Sequence, residues 1–208
     1  ILVRFRTPRT ALETFTGAGV GLSVVLVPAL ARDAAGSGAV LVGGAVQLAV
    51  LFMAGNSFGS DGPPLTHELL TGADIGEIVA GKARGVAVVA APLAVVGPLI
   101  AAAVTDEWRY LPAGFGIGAG AVLAGTGAAI VQSALVPIAI PESDNPFAGG
   151  ESGKGILAAV LLLGVLVALG IVTVPVALAL LWAVEEQHTV FVTLLGGASL
   201  GLGWLVVR

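Results

Sequence analysis

The sequence predicts an all-α polytopic membrane protein. It has about six transmembrane helices, both ends cytoplasmic, and short amphipathic helices between the second and third spans. Three observations predict this. The 208-residue chain is 57% hydrophobic and 11% charged, with mean hydropathy +1.03. Soluble domains carry about 25% charged residues, so a chain this apolar could not cover its own surface with polar groups in water. Its apolar stretches reach roughly the 20 residues a bilayer crossing needs. Its polar residues gather in short runs between those stretches, the longest being Asn56 to Arg84. The whole of 1–208 reads as one transmembrane domain.

The composition excludes several kinds of chemistry. Without cysteine there is no disulfide, thiol nucleophile or Cys-based metal site in this chain. His67 and His188 are the only histidines, too few for a His-based metal site. The net charge of -4 comes with no basic run suited to nucleic acid. The 31 glycines fit close helix packing in lipid. The chain opens on Ile1 instead of Met, which fits part of a longer chain.

In chain order, Arg4, Arg6 and Arg9 precede the first apolar run and read as a cytoplasmic anchor. Span 1 is expected at about Phe15–Ala31. Its Gly17, Gly19 and Gly21 have no preceding strand, so they read as helix-packing positions, not a nucleotide loop. Arg32-Asp33 turns the chain into span 2, about Gly38–Ala54. Span 3, about Gly85–Val104, contains Pro92 and Pro98 and is expected to kink or break. Thr105 to Tyr110 is a polar turn whose Trp108 and Tyr110 suit the headgroup layer. Span 4, about Ala113–Ile138, carries Gly116 and Gly120 on one helix face, where another backbone can approach. A loop from Pro141 to Lys154 leads to span 5, about Ile156–Val184, long enough to tilt or kink at Pro175. Glu185 to His188 turns into span 6, about Thr189–Val207.

Charge bias sets the orientation. With both ends inside, Arg4, Arg6, Arg9, Lys82, Arg84, Lys154 and Arg208 fall on the inner side, leaving only Arg32 and Arg109 outside. Asn56–Arg84 and Pro141–Lys154 then face the cytoplasm.

The long polar stretch has its own local logic. Asp61-Gly62-Pro63-Pro64 can open a helix, because proline suits the first turn. Leu65, Leu69 and Leu70 follow at helical spacing around Thr66, His67 and Glu68, and Thr71-Gly72 stops the helix. Asp74 can cap a second helix with Glu77 three residues on, and Ile75, Ile78 and Val79 as its apolar face. Two short helices at the membrane surface are expected. Lys82 and Arg84 would lie at the inner headgroups.

This stretch resembles a known family. The run N-x-F-G-x-D-G-x-x-L-x-x-x-L-L-T-G-A, closing with G-K, is similar to the region after the second span of ABC-2 type permeases, the membrane subunits of ATP-driven exporters. The residues that carry it are Asn56, Phe58, Gly59, Asp61, Gly62, Leu65, Leu69, Leu70, Thr71, Gly72, Gly81 and Lys82. Asn145-Pro146-Phe147 also resembles that family. The resemblance implies a cytoplasmic coupling helix, with Leu65, His67, Glu68, Leu69, Leu70, Thr71 and Gly72 contacting an ABC-type ATPase. ATP and Mg²⁺ would bind that partner, with no cofactor in this chain. The permease would work as a homodimer or beside a second permease half, since some members fuse two such halves.

Other motifs fail on chemistry. Ala148 to Gly155 approaches a P-loop, but Ala148 stands at the first Gly, Gly155 replaces the Ser/Thr that holds Mg²⁺, and an apolar span follows at once. Glu185-Glu186 has no arginine on the same helix face, and there is no Gly-x-Ser-x-Gly, so no catalytic residue is visible. No ionisable residue falls in the middle of any expected span. Ion-coupled transporters place such groups there, so energy is expected from outside the chain. Gln47, Thr126, Gln132, Ser133 and Thr173 are the polar candidates for a pathway, or else helix–helix hydrogen bonds. The expectation is thus an exporter permease in the cytoplasmic membrane of a prokaryote, bound to lipid and not to nucleic acid. The alternative is a non-transporting scaffold that anchors a cytoplasmic complex.

Overall fold

A computed structural model describes residues 11–12, 14–20, 23, 27, 35–61, 63–138 and 152–207. Every regular element among them is helical. The order is α1 (Ala35–Ala54), α2 (Pro63–Leu70), α3 (Ile75–Thr105), a 3-10 turn (Trp108–Tyr110), α4 (Leu111–Leu135), α5 (Ser152–Glu185) and α6 (Thr189–Val207). Residues 14–20 are also helical, and Gly17 lies against α1, where an added Cβ would stand 3.0 Å from the Ala49 carbonyl.

Among the described residues, three helices are long and apolar enough to cross a membrane: Ile75–Thr105, Trp108–Leu135 and Ala159–Glu185. The apolar stretches Gly43–Ala54 in α1 and Thr189–Leu205 in α6 are shorter. Most of the expected span 1 and all of 139–151 fall outside the described residues, including Asn145-Pro146-Phe147 and the first half of the P-loop-like run. Lys154, expected in that second loop, belongs instead to α5, which starts at Ser152.

Local chemistry explains the boundaries. Asp74 caps α3 as its sequence suggests, its Oδ1 accepting from the Gly76 amide at 2.6 Å. The expected separate surface helix after it does not exist. It runs straight into span 3 as one helix of 31 residues, because Gly81 and Gly85 weaken a helix without ending it. The helix also continues through Pro92 and Pro98, where a break was a prospect, and α5 continues through Pro175. α3 stops at Asp106, in the left-handed region with φ 58°, its amide bonded to the Ala102 carbonyl. Pro112 sits in the first turn of α4, where its missing N–H is no loss.

α4 is the axis of the bundle and packs against α1, α3 and α6. Small residues make this possible. A Cβ on Gly116 would stand 2.6 Å from the Gly196 carbonyl, and one on Gly120 would collide with the Ser199 carbonyl. Gly43 of α1 meets Gly114 and Gly118 just as closely. The expected glycine face is therefore a real contact, between α4 and α6, with further glycines serving α1. One core cluster joins α1, α3 and α4 through Val46, Val50, Val86, Ala90 and Ala129. A second, near the start of α4, joins Tyr110, Ile117, Leu180, Val184 and Val192. Tyr110 is only 1% exposed, its hydroxyl 3.4 Å from the Val184 carbonyl, so it is not a headgroup residue. Trp108 remains exposed.

Candidate functional site: a polar clamp under an exposed helix

The residues from Asn56 to Lys82 that carry the family resemblance divide into two groups in space. The first is a clamp. After α1 ends at Ala54, the chain turns tightly over 55–61, with the Ser57 amide donating to the Ala54 carbonyl at 3.1 Å and Ser60 to the Asn56 carbonyl at 3.0 Å. The Asn56 side chain then reads both backbone groups of Ile138, past the end of α4. Its Nδ2 donates to the Ile138 carbonyl at 3.0 Å and its Oδ1 accepts from the Ile138 amide at 2.9 Å. An amide side chain is the group that can donate and accept in this way at once. The Phe58 amide donates to Ser133 Oγ on α4 at 2.7 Å. Gly59 is pressed against Ile138, and a Cβ there would stand 2.6 Å from the Ile138 nitrogen.

Lys82 closes the clamp from α3. Its Nζ pairs with the Asp61 carboxylate, donates to the Ser57 carbonyl at 2.8 Å and lies 4.8 Å from the centre of the Phe58 ring. It therefore does not spend its charge on headgroups, as its place in the sequence suggested. Both partners are partly withdrawn from solvent, with side chains 15% and 31% exposed for Lys82 and Asp61. Such a pair is less screened than an open surface pair, and is worth about 1 kcal/mol. Together these bonds pin the end of α1 to α3 and to the end of α4.

The second group is the helix presented beyond the clamp. α2 ends in a Schellman motif: the Ala73 amide bonds the Glu68 carbonyl at 3.2 Å, and the Gly72 amide bonds the Leu69 carbonyl at 3.2 Å. Gly72 takes φ 81°, a conformation that needs glycine, and Thr71 Oγ1 donates to the Glu68 carbonyl at 2.8 Å. Leu65 is half-buried, while His67, Glu68, Leu69, Leu70, Thr71 and Gly72 are exposed. Leu70 is 82% exposed and Ile75, one turn on, 66%.

Two residues of the resemblance remain. Gly62 lies outside the described residues, and Gly81 has open space where a Cβ would be, so packing does not require glycine there. The pathway candidates also separate. Gln47, Thr126, Gln132 and Ser133 are all buried, but Ser133 serves the clamp. Gln47 Nε2, Thr126 Oγ1 and Gln132 Oε1 are buried without a hydrogen-bond partner, so these atoms make no helix–helix bond, and Ser57 Oγ is likewise unpartnered. Thr173 Oγ1 donates to the Leu169 carbonyl of its own helix at 2.8 Å. The parts that sequence reasoning missed are Ser57, the Ile138 backbone and the clamp role of Ser133. Ser57 stood inside the motif, but a backbone partner 82 residues away leaves no residue-type signal.

Among the described residues no cluster of His, Asp or Glu could hold a metal ion. What the arrangement offers is mechanical: a short exposed apolar helix joined by short links to the ends of three packed helices. No protein-family model, curated protein or solved structure matches the chain.

Proposed function

We propose that the chain is the membrane-spanning permease subunit of an ABC-type exporter of the ABC-2 kind. It would move a substrate across the cytoplasmic membrane of a prokaryote with energy from partner ATPase subunits. In this reading the chain crosses the membrane about six times with both ends inside, and works beside a second permease copy or half. α2 is the coupling helix. ATP and Mg²⁺ belong to the partner, which would hold α2 in a groove by burying Leu69 and Leu70, at about 1.5–3 kcal/mol for each side chain fully removed from water.

The observation that carries the reading is the convergence of Asn56, Phe58, Gly59, Asp61 and Lys82 on one clamp directly before α2. A docking helix on a slack loop would absorb a push. A helix tied to the ends of α1, α3 and α4 passes it on. Coupling also requires that the partner contact α2 differently in its two nucleotide states. The lack of ionisable residues in the middle of the long apolar helices fits a transporter powered from outside.

The test places a cysteine at Glu68, an exposed position in a chain without native cysteine. A photocrosslinker attached there in native membranes should capture an ABC-type ATPase. Leu69→Asp should abolish that capture while leaving the helical content and detergent elution of the protein unchanged. Capture by Leu69→Asp at the wild-type level would remove α2 from the coupling role. Recovery of only lipid or an unrelated soluble protein would favour an anchoring scaffold over a permease.

A further inference from the structure

A cleft of about 350 Å³ opens between α1, α4, α5 and α6. Along α1 and α4 it lies two to three turns from the clamp, Gln47 being nine residues before Asn56 and Ala124 nine before Ser133. Its wall is apolar apart from Gln47, Thr173 and Ser199, and no charged residue lines it. Thr173 and Ser199 each donate their hydroxyl proton to a carbonyl one turn back, at 2.8 and 2.9 Å, which leaves their oxygens as acceptors. Gln47 is 8% exposed and its Nε2 has no partner. An amide nitrogen held without an acceptor in an apolar interior is costly, and a ligand oxygen that accepts from it recovers that cost.

We propose that this cleft is a binding site for a small uncharged lipophile: an aliphatic body bearing one neutral hydrogen-bonding head, such as an alcohol, that meets the Gln47 amide. Size and lining both select this class. The volume is at the lower end of small-molecule sites. A carboxylate or an ammonium would enter without a counter-charge and lose its hydration, so either should be rejected. A pure hydrocarbon would fit the wall but leave Gln47 unpaired. The site does not depend on what docks on α2.

The glycines in the wall supply a clean way to fill it. At Gly120 and Gly203 any side chain would strike backbone, whereas a Cβ on Gly44 meets only Ile117 Cγ2 at an ordinary 3.8 Å. Gly44→Leu should therefore block the cleft and spare the helix contacts. The experiment uses the 208-residue protein in phosphatidylcholine nanodiscs, labelled with a diazirine-bearing dodecanol and mapped by mass spectrometry. Labels are expected on α5 and α6 around Thr173 and Ser199. Dodecanol should compete, and dodecanoate and dodecyltrimethylammonium should not. Gly44→Leu should abolish the labelling. Gln47→Leu should weaken competition by dodecanol roughly two- to tenfold, the value of one hydrogen bond, and leave labelling by the matching hydrocarbon diazirine unchanged. Equal competition by the charged amphiphiles overturns the proposal. So does labelling indifferent to Gln47→Leu, which would mean that the cleft holds lipid hydrocarbon only. Labelling elsewhere on the protein, with none in the cleft, overturns it as well.

Discussion

α4 and α5 are both long enough to cross a membrane, yet their neighbours treat them in opposite ways. Of the most apolar window of Trp108–Leu135, 56% is buried inside the protein; of the window in Ala159–Glu185, none is. The buried helix is the one built from Gly, Ala, Thr and Ser. The uncovered one is a run of Leu, Val and Ile that ends in a short buried patch at Leu180, Ala183 and Val184. In a water-soluble fold the assignment would be reversed. In lipid there is no hydrophobic gain from placing leucine against leucine instead of against an acyl chain, so the large side chains can stay outside. What draws helices together is close backbone approach and dispersion, which small residues permit.

The contrast should break most visibly at glycine. Gly120→Leu on α4 drives a side chain into the Ser199 carbonyl, while Gly164→Leu and Gly170→Leu on α5 enter open space. The first should cost about 3 kcal/mol or more and yield aggregated protein on size-exclusion chromatography. The other two should elute as wild type. A well-behaved Gly120→Leu would mean that α4 and α6 do not pack as described.

Within α5 the same contrast can be drawn between neighbours. Leu180 is 2% exposed and Leu178 60%. Leu180→Ala should lower stability by about 2–4 kcal/mol in a detergent unfolding series, and Leu178→Ala by less than about 0.5. Equal losses would show that α5 has a second partner along its uncovered face.

The clamp is the polar counterpart. Asn56→Ala strands the Ile138 amide and carbonyl and should cost about 1–3 kcal/mol by thermal melting. For the ion pair, a cycle with Lys82→Met and Asp61→Asn should give a coupling energy of about 1 kcal/mol. Coupling near zero would leave Lys82 as a surface charge.

The one stabilising change expected is Gly170→Ala. It should stabilise the exposed α5 by up to about 1 kcal/mol through helix propensity alone, read as a small rise in melting temperature.

How much of this was legible in the sequence depends on the range of the interaction. Asp74 as a cap, Thr71-Gly72 as a stop and α6 at Thr189–Val207 were all readable, because caps, stops and apolar runs act within a few residues. The split of 75–105 into a surface helix and a span was misread. A charged first third and an apolar remainder look like two elements, while the backbone has no reason to stop between them. Tyr110 was misread for a related reason. An aromatic beside charged residues suits a headgroup layer, and only the approach of α5 and α6 makes it core.

The candidate site was half legible. The motif residues were identified one by one from Asn56 to Lys82, and the short helix carrying Leu69 and Leu70 was readable from its spacing, while their exposure came only with the structure. That five of them form one clamp was not readable, because its other half consists of the Ile138 backbone and a serine 75 residues from Phe58.

By itself the sequence determined what is local and what is bulk. Composition decided that the protein is helical and apolar enough for lipid, and residue spacing decided where α2 starts and stops. Tertiary structure alone decided which apolar helix is covered, which glycines carry contacts, and where Lys82 spends its charge. The physical reason is that hydropathy is summed along the chain and can be read from it. Close approach and hydrogen bonding depend on which atoms meet across a gap of a few ångströms, and no single segment carries that information.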